Sequence, residues 1–352
     1  MKKCLIKAGN GYEVTVGSNL AEELIGYLKS VGFDGKIAIV SDSNVAKLYM
    51  ANLRKALIDG KYSVATMEFP EGEENKTLKT YEMIMHFLLL NEIGRNDMLI
   101  ALGGGVTGDL VGFAAATYMR GIRYIMMPTT LLSMVDSSVG GKTAVDMQEG
   151  KNLVGAFHQP VAVFADTDYL RTLDENILMQ GMAEAIKAGV IGGKDLLDLI
   201  SRYLDTRDGN ILEDIILKSI EIKGEYVSED EFDCGRRKIL NLGHTLGHAI
   251  ERCTGYMISH GEAVAIGLNK MVDESEKHGE LPAEEGTLIR NILIKTGLKQ
   301  DIPGNISSES LMDAILLDKK TYNDKIDIIM IRRIGDCYIK QIAVDDFYSY
   351  IE

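Results

Sequence analysis

Met98-Leu-Ile-Ala-Leu-Gly-Gly-Gly-Val-Thr-Gly-Asp109 decides the fold class. Five consecutive apolar residues suit a strand buried on both faces, three glycines turn the chain, and a helical pattern runs on to Thr117. The same alternation surrounds it. Upstream, residues 1–16 alternate and turn at Gly9-Asn-Gly11, which predicts a β-hairpin. Residues 19–30 have helical period, with Ser18 placed to cap them. Lys36–Val40 and Tyr62–Phe69 read as strands followed by helices, the second of these spanning Thr77–Leu90. Downstream, Tyr124–Pro128 and Val161–Ala165 are further buried strands. Strands alternating with helices of this length build a parallel sheet covered on both faces. Residues 1–175 are therefore expected to form an α/β N-terminal domain with a Rossmann-like parallel sheet. Residues 176–352 are expected to form a mainly α-helical C-terminal domain, with a late hairpin from Lys325–Ile331 and Tyr338–Ile342.

The composition narrows the function. With 352 residues, 46% of them hydrophobic and 26% charged, the chain can bury full cores and is not a disordered polymer. Its net charge of −14 argues against a nucleic-acid partner, so an anionic substrate must be caught by a local cluster of Lys and Arg. Cys4, Cys234, Cys253 and Cys337 are scattered without a Cys-x-x-Cys, which suits a reducing compartment and buried or idle thiols. The apolar run after Lys2-Lys3 is too short for a signal peptide, and no stretch approaches the ~18 apolar residues of a membrane span. The expectation is a cytoplasmic protein that engages neither membrane nor nucleic acid.

Several segments carry chemistry. The glycines after Leu102 either let a phosphate approach bare N–H groups at a helix N-terminus or simply allow tight packing, and the motif leaves both open. It is not Gly-x-Gly-x-x-Gly. Asp42, at the end of an earlier strand, suits either a ribose hydroxyl or a helix cap. Residues 128–160 hold many small hydroxyl residues, glycines and two lysines without clear strand or helix period, the mark of a functional loop. Lys142 follows two glycines, but Val135 stands where a P-loop needs its first glycine, which disfavours ATP. Glu184 and Lys187 stand at i, i+3 among apolar neighbours. Three of the six histidines (His244, His248 and His260) fall within one short window. His244 and His248, four apart, share a helix face, with Asn241 expected one turn earlier on it, and two such imidazoles suit either a metal ion or a hydrogen-bonded pair. Thr245 occupies the place of the glutamate a zinc protease requires.

In order, Glu71-Gly-Glu-Glu-Asn-Lys76, Gly103 to Asp109, Pro128 to Lys142, Gly150-Lys-Asn152, Gly181-Met-Ala-Glu-Ala-Ile-Lys187, Asn241-Leu-Gly-His-Thr-Leu-Gly-His248 and His260-Gly-Glu262 resemble the 3-dehydroquinate synthase family of sugar-phosphate cyclases. The resemblance spans most of the chain and implies a dehydroquinate synthase-like fold. It implies an NAD-dependent homodimeric lyase that uses a divalent metal, zinc or alternatively cobalt. The implied reaction converts 3-deoxy-D-arabino-heptulosonate 7-phosphate into 3-dehydroquinate and phosphate in the shikimate pathway. Its course is transient oxidation, phosphate β-elimination, re-reduction and intramolecular aldol closure.

The resemblance further implies metal ligands at Glu184, His244 and His260. It assigns NAD to Asp42, Ser43 and Asn44; to Glu71, Gly72, Glu73, Glu74, Asn75 and Lys76; and to Gly104, Gly105, Val106, Thr107, Gly108 and Asp109. Thr129, Thr130, Lys142, Lys151 and Tyr169, Leu170, Arg171 and Thr172 complete that set. Substrate contacts are implied for Arg120, Asp136, Lys142, Asn152, Lys187, Lys223, Arg237 and Asn241, and acid/base roles for His248 and Asp233. Asp233 stands where the family more often has glutamate, one methylene longer, and Ala144 to Gln148 depart from the family's common Gly-x-Asn-His pattern. A C-terminal substrate lysine falls on Lys319 or Lys320. The rival readings are another sugar-phosphate cyclase or a metal-dependent polyol dehydrogenase that releases NADH.

Overall fold

Apolar strands dictate the centre of the N-terminal half. In the computed structural model, which describes residues 1–318 and 325–351, all six residues of β5 (Met98–Gly103) are buried. Before it come β1 (Lys2–Ile6), β2 (Tyr12–Gly17), α1 (Ala21–Ser30) and β3 (Ile37–Asp42). Then α2 (Ser43–Val45) runs through one π-helical turn into α3 (Ala51–Asp59), followed by β4 (Val64–Phe69) and α4 (Leu78–Leu90). After β5 come α5 (Gly105–Thr117), β6 (Arg123–Pro128), β7 (Lys142–Met147), β8 (Gly150–Phe157) and β9 (Ala162–Asp166). The sheet order is β1-β2-β9-β6-β5-β3-β4, parallel from β2 to β4, with β1 antiparallel at the edge. Leu24 and Leu28 of α1 pack with Ile39, Ile100, Ile125 and Phe164 of the sheet in one core. The hairpin, the strands and the helices therefore lie where periodicity puts them, within a few residues.

Two expectations for this half change. Ser18 does not cap α1, which starts at Ala21 without a local side-chain cap. Instead the Asp166 carboxylate, at the end of β9, accepts from the backbone N–H groups of Asn19 at 3.0 Å and Leu20 at 2.7 Å. A carboxylate brought in by the parallel β2–β9 pairing meets the positive helix end with a full charge, which a serine hydroxyl cannot do. Residues 128–160 are also more regular than their composition suggests. Ser133–Ser137 form a π-helical turn, and β7 and β8 form an antiparallel hairpin with a register shift between Val145 and Met147. The outer strand β8 has no buried residue, so no apolar alternation marks it.

The chain divides into two units, Met1–Leu173 and Asp174–Glu352. The second contains α6 (Glu175–Gly192), α7 (Lys194–Thr206), α8 (Gly209–Glu229), α9 (His244–Cys253), α10 (His260–Lys277), α11 (Ala283–Thr296) and α12 (Ser308–Asp318). The expected late hairpin is β10 (Lys325–Arg333) paired antiparallel with β11 (Asp336–Ala343). Helix α6 is buried from Gly181 to Ile191, which its run of alanines and glycines permits.

Close approach of backbone sets the pairing of α9 with α10. A Cβ on Gly243 would come 2.7 Å from the backbone nitrogen of Leu268, and one on Gly267 would overlap the Gly243 carbonyl. Gly243 also has φ 77°, a left-handed conformation open to glycine at little cost. This overturns the expectation that Asn241 belongs to the histidine helix. Asn241 ends a separate 3₁₀ segment, Arg236–Asn241, and the left-handed Gly243 breaks the chain before α9 begins at His244.

The thiol expectation also shifts. All four cysteines are free; Cys234 is exposed and the other three are half-buried. No helix among the described residues is long and apolar enough to cross a membrane. Lys319 and Lys320 lie outside the described residues.

Candidate metal centre and nucleotide-facing edge

Three helices of the second unit bring three ligand-type side chains together. Glu184 Oε1 of α6 lies 3.3 Å from His244 Nε2 of α9 and 3.1 Å from His260 Nε2 of α10. All three ligand atoms fall within 4.8 Å of one another. Donors about 2.0–2.2 Å from a tetrahedral ion stand roughly 3.4 Å apart, so this spacing fits a divalent ion such as zinc or cobalt. The tautomers fit as well. His244 Nδ1 donates to the Leu242 carbonyl at 3.1 Å, and His260 Nδ1 donates to Glu251 Oε2 at 3.3 Å, which turns both Nε2 atoms toward Glu184.

The electrostatics are those of a tight cluster. Burial would raise the Glu184 carboxyl, but the Lys187 charge and then the two histidines hold it well below the ordinary range. Burial and the Lys187 charge push His244 down to about 4. Burial would lower His260 too, yet its hydrogen bonds to Glu184 and Glu251 prevail and carry it up to about 10. Glu184 and Lys187 form no surface ion pair: their side chains are 1% and 4% exposed, and Lys187 Nζ sits 2.5 Å from Glu184 Oε2. A buried pair at i, i+3 in an apolar helix is costly to desolvate, which points to a task beyond stability.

His248 shares the α9 face with His244, as its spacing predicts, with ring centroids 5.4 Å apart; the His260 ring is 6.2 Å from it. Among the other residues expected at the site, Lys223 is half-buried on α8. Arg237 is 3% exposed and donates to the Glu231 carbonyl at 2.5 Å. Asp233 is half-buried with φ 58°, in a turn organised by Asp230, whose carboxylate accepts from the backbone N–H groups of Cys234, Gly235 and Arg237. Asn241 is half-buried at the end of its 3₁₀ segment.

In the first unit, the residues expected to hold a nucleotide cluster at the C-terminal ends of the parallel strands. Ligands of open α/β sheets bind at that edge. Asp42 ends β3, where its carboxylate caps the next helix through Val45 N–H at 3.0 Å and accepts from the Thr107 hydroxyl at 3.2 Å. Ser43 and Asn44 follow in α2, and the Ser43 hydroxyl donates to Glu71 Oε2 at 2.5 Å. Gly72 (φ 108°) turns the chain into the Glu73–Asn75 helical turn that leads to Lys76. Thr129 and Thr130 follow β6, and Tyr169 to Thr172 lie in a 3₁₀ segment after β9, where the Tyr169 ring packs 4.5 Å from Tyr49.

The glycine turn is used for tight packing at two of its positions. A Cβ on Gly103 or Gly108 would collide with Thr107 or Met126, so these two glycines are for packing. Gly104 and Gly105, at the head of helix α5, face the milder neighbours Thr130 and Ser137, at 3.3 Å each.

Lys76 is the charged anchor of this edge. It is 4% exposed and its Nζ lies 2.5 Å from both Asp109 Oδ2 and Asn152 Oδ1. Asn152 has φ 57° and is held by donation from its N–H to Asp146 Oδ1 at 2.8 Å. Burial pushes the Asp109 carboxyl up to about 6 despite the Lys76 ammonium. Lys151 Nζ is 3.7 Å from Glu73 Oε1. Asp109, Lys142 and Asn152 line a recess of about 450 Å³ beside the β7–β8 hairpin. Asp136 lies in the π-helical turn, and Arg120 is exposed, next to Met119, with φ values of 67° and 50°. Sequence reasoning missed Glu251, Asp146 and Asp166. Glu251 left a signal: it lies seven residues after His244, on the same helical face.

Comparison with known proteins places the chain. The 3-dehydroquinate synthase N-terminal model matches residues 66–180, and the 3-dehydroquinate synthase C-terminal model matches residues 181–321. A 3-dehydroquinate synthase of Clostridium kluyveri is 40% identical over 97% of this chain and 95% of its own. One of Nitrosospira multiformis is 44% identical over 93% and 90%. Among solved structures, 2-deoxy-scyllo-inosose synthase complexed with carbaglucose-6-phosphate, NAD+ and Co2+ superposes with a TM-score of 0.90 at 28% identity, covering 99% of both chains. With both halves matched in order and relatives this similar along nearly the whole length, the chain belongs to the 3-dehydroquinate synthase family.

Proposed function

We propose that the protein converts 3-deoxy-D-arabino-heptulosonate 7-phosphate into 3-dehydroquinate and phosphate, as a carbon–oxygen lyase of the shikimate pathway. The observation that carries this reading is the Glu184–His244–His260 cluster, standing in a chain 40–44% identical to 3-dehydroquinate synthases. The inosose synthase likeness is weaker in sequence, at 28%, which favours dehydroquinate over an aminocyclitol precursor.

Glu184, His244 and His260 would hold the divalent metal, and the strand ends from Asp42 to Thr172 would hold NAD. When bound, the metal supplies a Lewis acid and NAD a transient hydride acceptor, so the reaction has no net redox change. The rest is the work of the chain's own side chains. Lys187 Nζ keeps Glu184 ionised inside an apolar helix, so the ligand carboxylate holds its charge. Lys142, Lys223, Arg237 and Arg120 supply the cations that an acidic chain needs to bind a phosphate and a carboxylate. Asp136, Asn152 and Asn241 would orient substrate hydroxyls. His248, beside the ligand histidines but assigned to no metal, would take or return a proton through its imidazole, with Asp233 as a second proton acceptor. Lys76 and Asp109 would fix the nucleotide edge. A cytoplasmic homodimer belongs to the same proposal.

Incubation with the heptulosonate phosphate, NAD and zinc is the test. Phosphate release without NADH accumulation supports the reading. NADH that accumulates in proportion to substrate would replace it with a polyol dehydrogenase.

A further inference from the structure

Helix α9 presents His244, His248 and Glu251 at i, i+4 and i+7, along one face. The first two have roles in the proposed reaction, and the third has none. Glu251 is 5% exposed, and a carboxylate so deeply buried is costly without a partner. The contact that gives it a task is to His260. The two nitrogens of that imidazole point to two different carboxylates: Nε2 to Glu184 Oε1 at 3.1 Å and Nδ1 to Glu251 Oε2 at 3.3 Å. We propose that Glu251 is a positioning residue that fixes the tautomer and the aim of His260, and so sets the affinity of the metal centre without touching the metal.

The need for such a residue follows from how His260 is mounted. It is the first residue of α10, whose backbone is pinned by the Ser259–Glu262 capping box and by the close approach of Gly261 to Gln180. That pinning fixes the Cα but leaves the imidazole two rotatable bonds. A hydrogen bond from Nδ1 removes this freedom and holds a proton on that nitrogen, so that Nε2, which faces Glu184, is the one left for a metal to take. His244 receives the same service from a neutral carbonyl, Leu242. The carboxylate behind His260 makes that imidazole the more basic donor of the two.

The role rests on the reading of Glu184, His244 and His260 as metal ligands. A competing role is visible in the same geometry: His248, Glu251 and His260 also offer ligand atoms within 4.8 Å of one another, so Glu251 could instead ligate an ion itself. Stoichiometry separates the two.

The experiment strips the protein of metal and titrates zinc against a chromophoric chelator, for wild type, Glu251→Ala, Glu251→Gln and Glu251→Asp. NAD binding and melting temperature serve as controls for folding. Wild type is expected to bind one zinc, Glu251→Ala to bind it roughly 10- to 100-fold more weakly, and Glu251→Gln, which keeps an acceptor oxygen, to lose less. Glu251→Asp should recover part of the loss, and the visible spectrum of the cobalt-loaded protein should shift in Glu251→Ala. Unchanged zinc affinity in a folded Glu251→Ala overturns the proposal. Two zinc ions in wild type and one in Glu251→Ala overturn it in favour of a ligand role. A wild-type chain that binds no zinc while still binding NAD sinks the metal assignment itself, and this role with it.

Discussion

Gly267 of α10 lies against the carbonyl oxygen of Gly243, the residue that precedes α9, so closely that a methyl group on Gly267 would overlap it. This backbone-to-backbone contact seats His244 and His260 on facing helices, with their rings 5.5 Å apart. Gly267→Ala is therefore expected to destabilise the protein by about 1–3 kcal/mol, because the obstructing atoms are backbone and cannot swing aside. It should also weaken zinc retention, since the helices separate along the line of the ligands. Urea denaturation and chelator competition measure both, and an alanine variant as stable as wild type would refute the contact.

The two neighbouring histidines of α9 should separate on mutation. Glu184→Ala is expected to abolish zinc retention, whereas His248→Ala should keep zinc and lose about 10²–10⁴-fold in rate, the usual range for a general acid or base. Metal analysis of the dialysed proteins, read alongside turnover, decides it. Equal zinc loss in both variants means that the ligand assignment is wrong.

Asp109 gives stability a definite pH dependence. Burial raises its carboxyl to about 6, so the folded chain holds that proton more tightly than the unfolded chain does. Its contribution is complete below a pH of about 4 and is lost as pH rises through about 6. Asp109→Asn does not titrate. The stability of wild type relative to Asp109→Asn should therefore fall with rising pH, by up to about 1.4 kcal/mol per unit across that window. Urea midpoints measured through the window test the sign, and a difference that grows with pH contradicts it.

Asp166 tests the long-range helix cap. Asp166→Ala leaves the Leu20 N–H without its carboxylate, while the Asn19 N–H keeps Asp168 Oδ2 at 3.0 Å, and should cost about 1–2 kcal/mol, at the upper end for a lost cap. Ser18→Ala should cost almost nothing. Comparable losses in the two variants would show that the hydroxyl caps after all.

Much of the fold was legible because burial leaves a period. Strand β5 is apolar on both faces and helix α1 repeats its leucines, and both lie within two residues of where the pattern puts them. Strand β8 left no such trace, since none of its side chains is buried. The Asp166 cap was invisible for a different reason: 146 positions separate it from Leu20, and only the parallel pairing of β2 with β9 closes that gap.

The candidate site divides in the same way. Local sequence determined the types of group and their local spacing: imidazoles at i, i+4 on one helix, a carboxylate and a lysine at i, i+3 on another, and glycines at the head of a third. These follow from helical geometry, which is a property of the chain over a few residues. The motifs in their order pointed to the family, and through it to a ligand set. The sequence could not show that Glu184 reaches His260 across 76 positions, that Glu251 stands behind that histidine, or that Asn241 is cut off from α9. Those were decided by the crossing of α9 over α10 at Gly243 and Gly267 and by the burial of α6, because close packing of whole helices sets distances that no local spacing specifies.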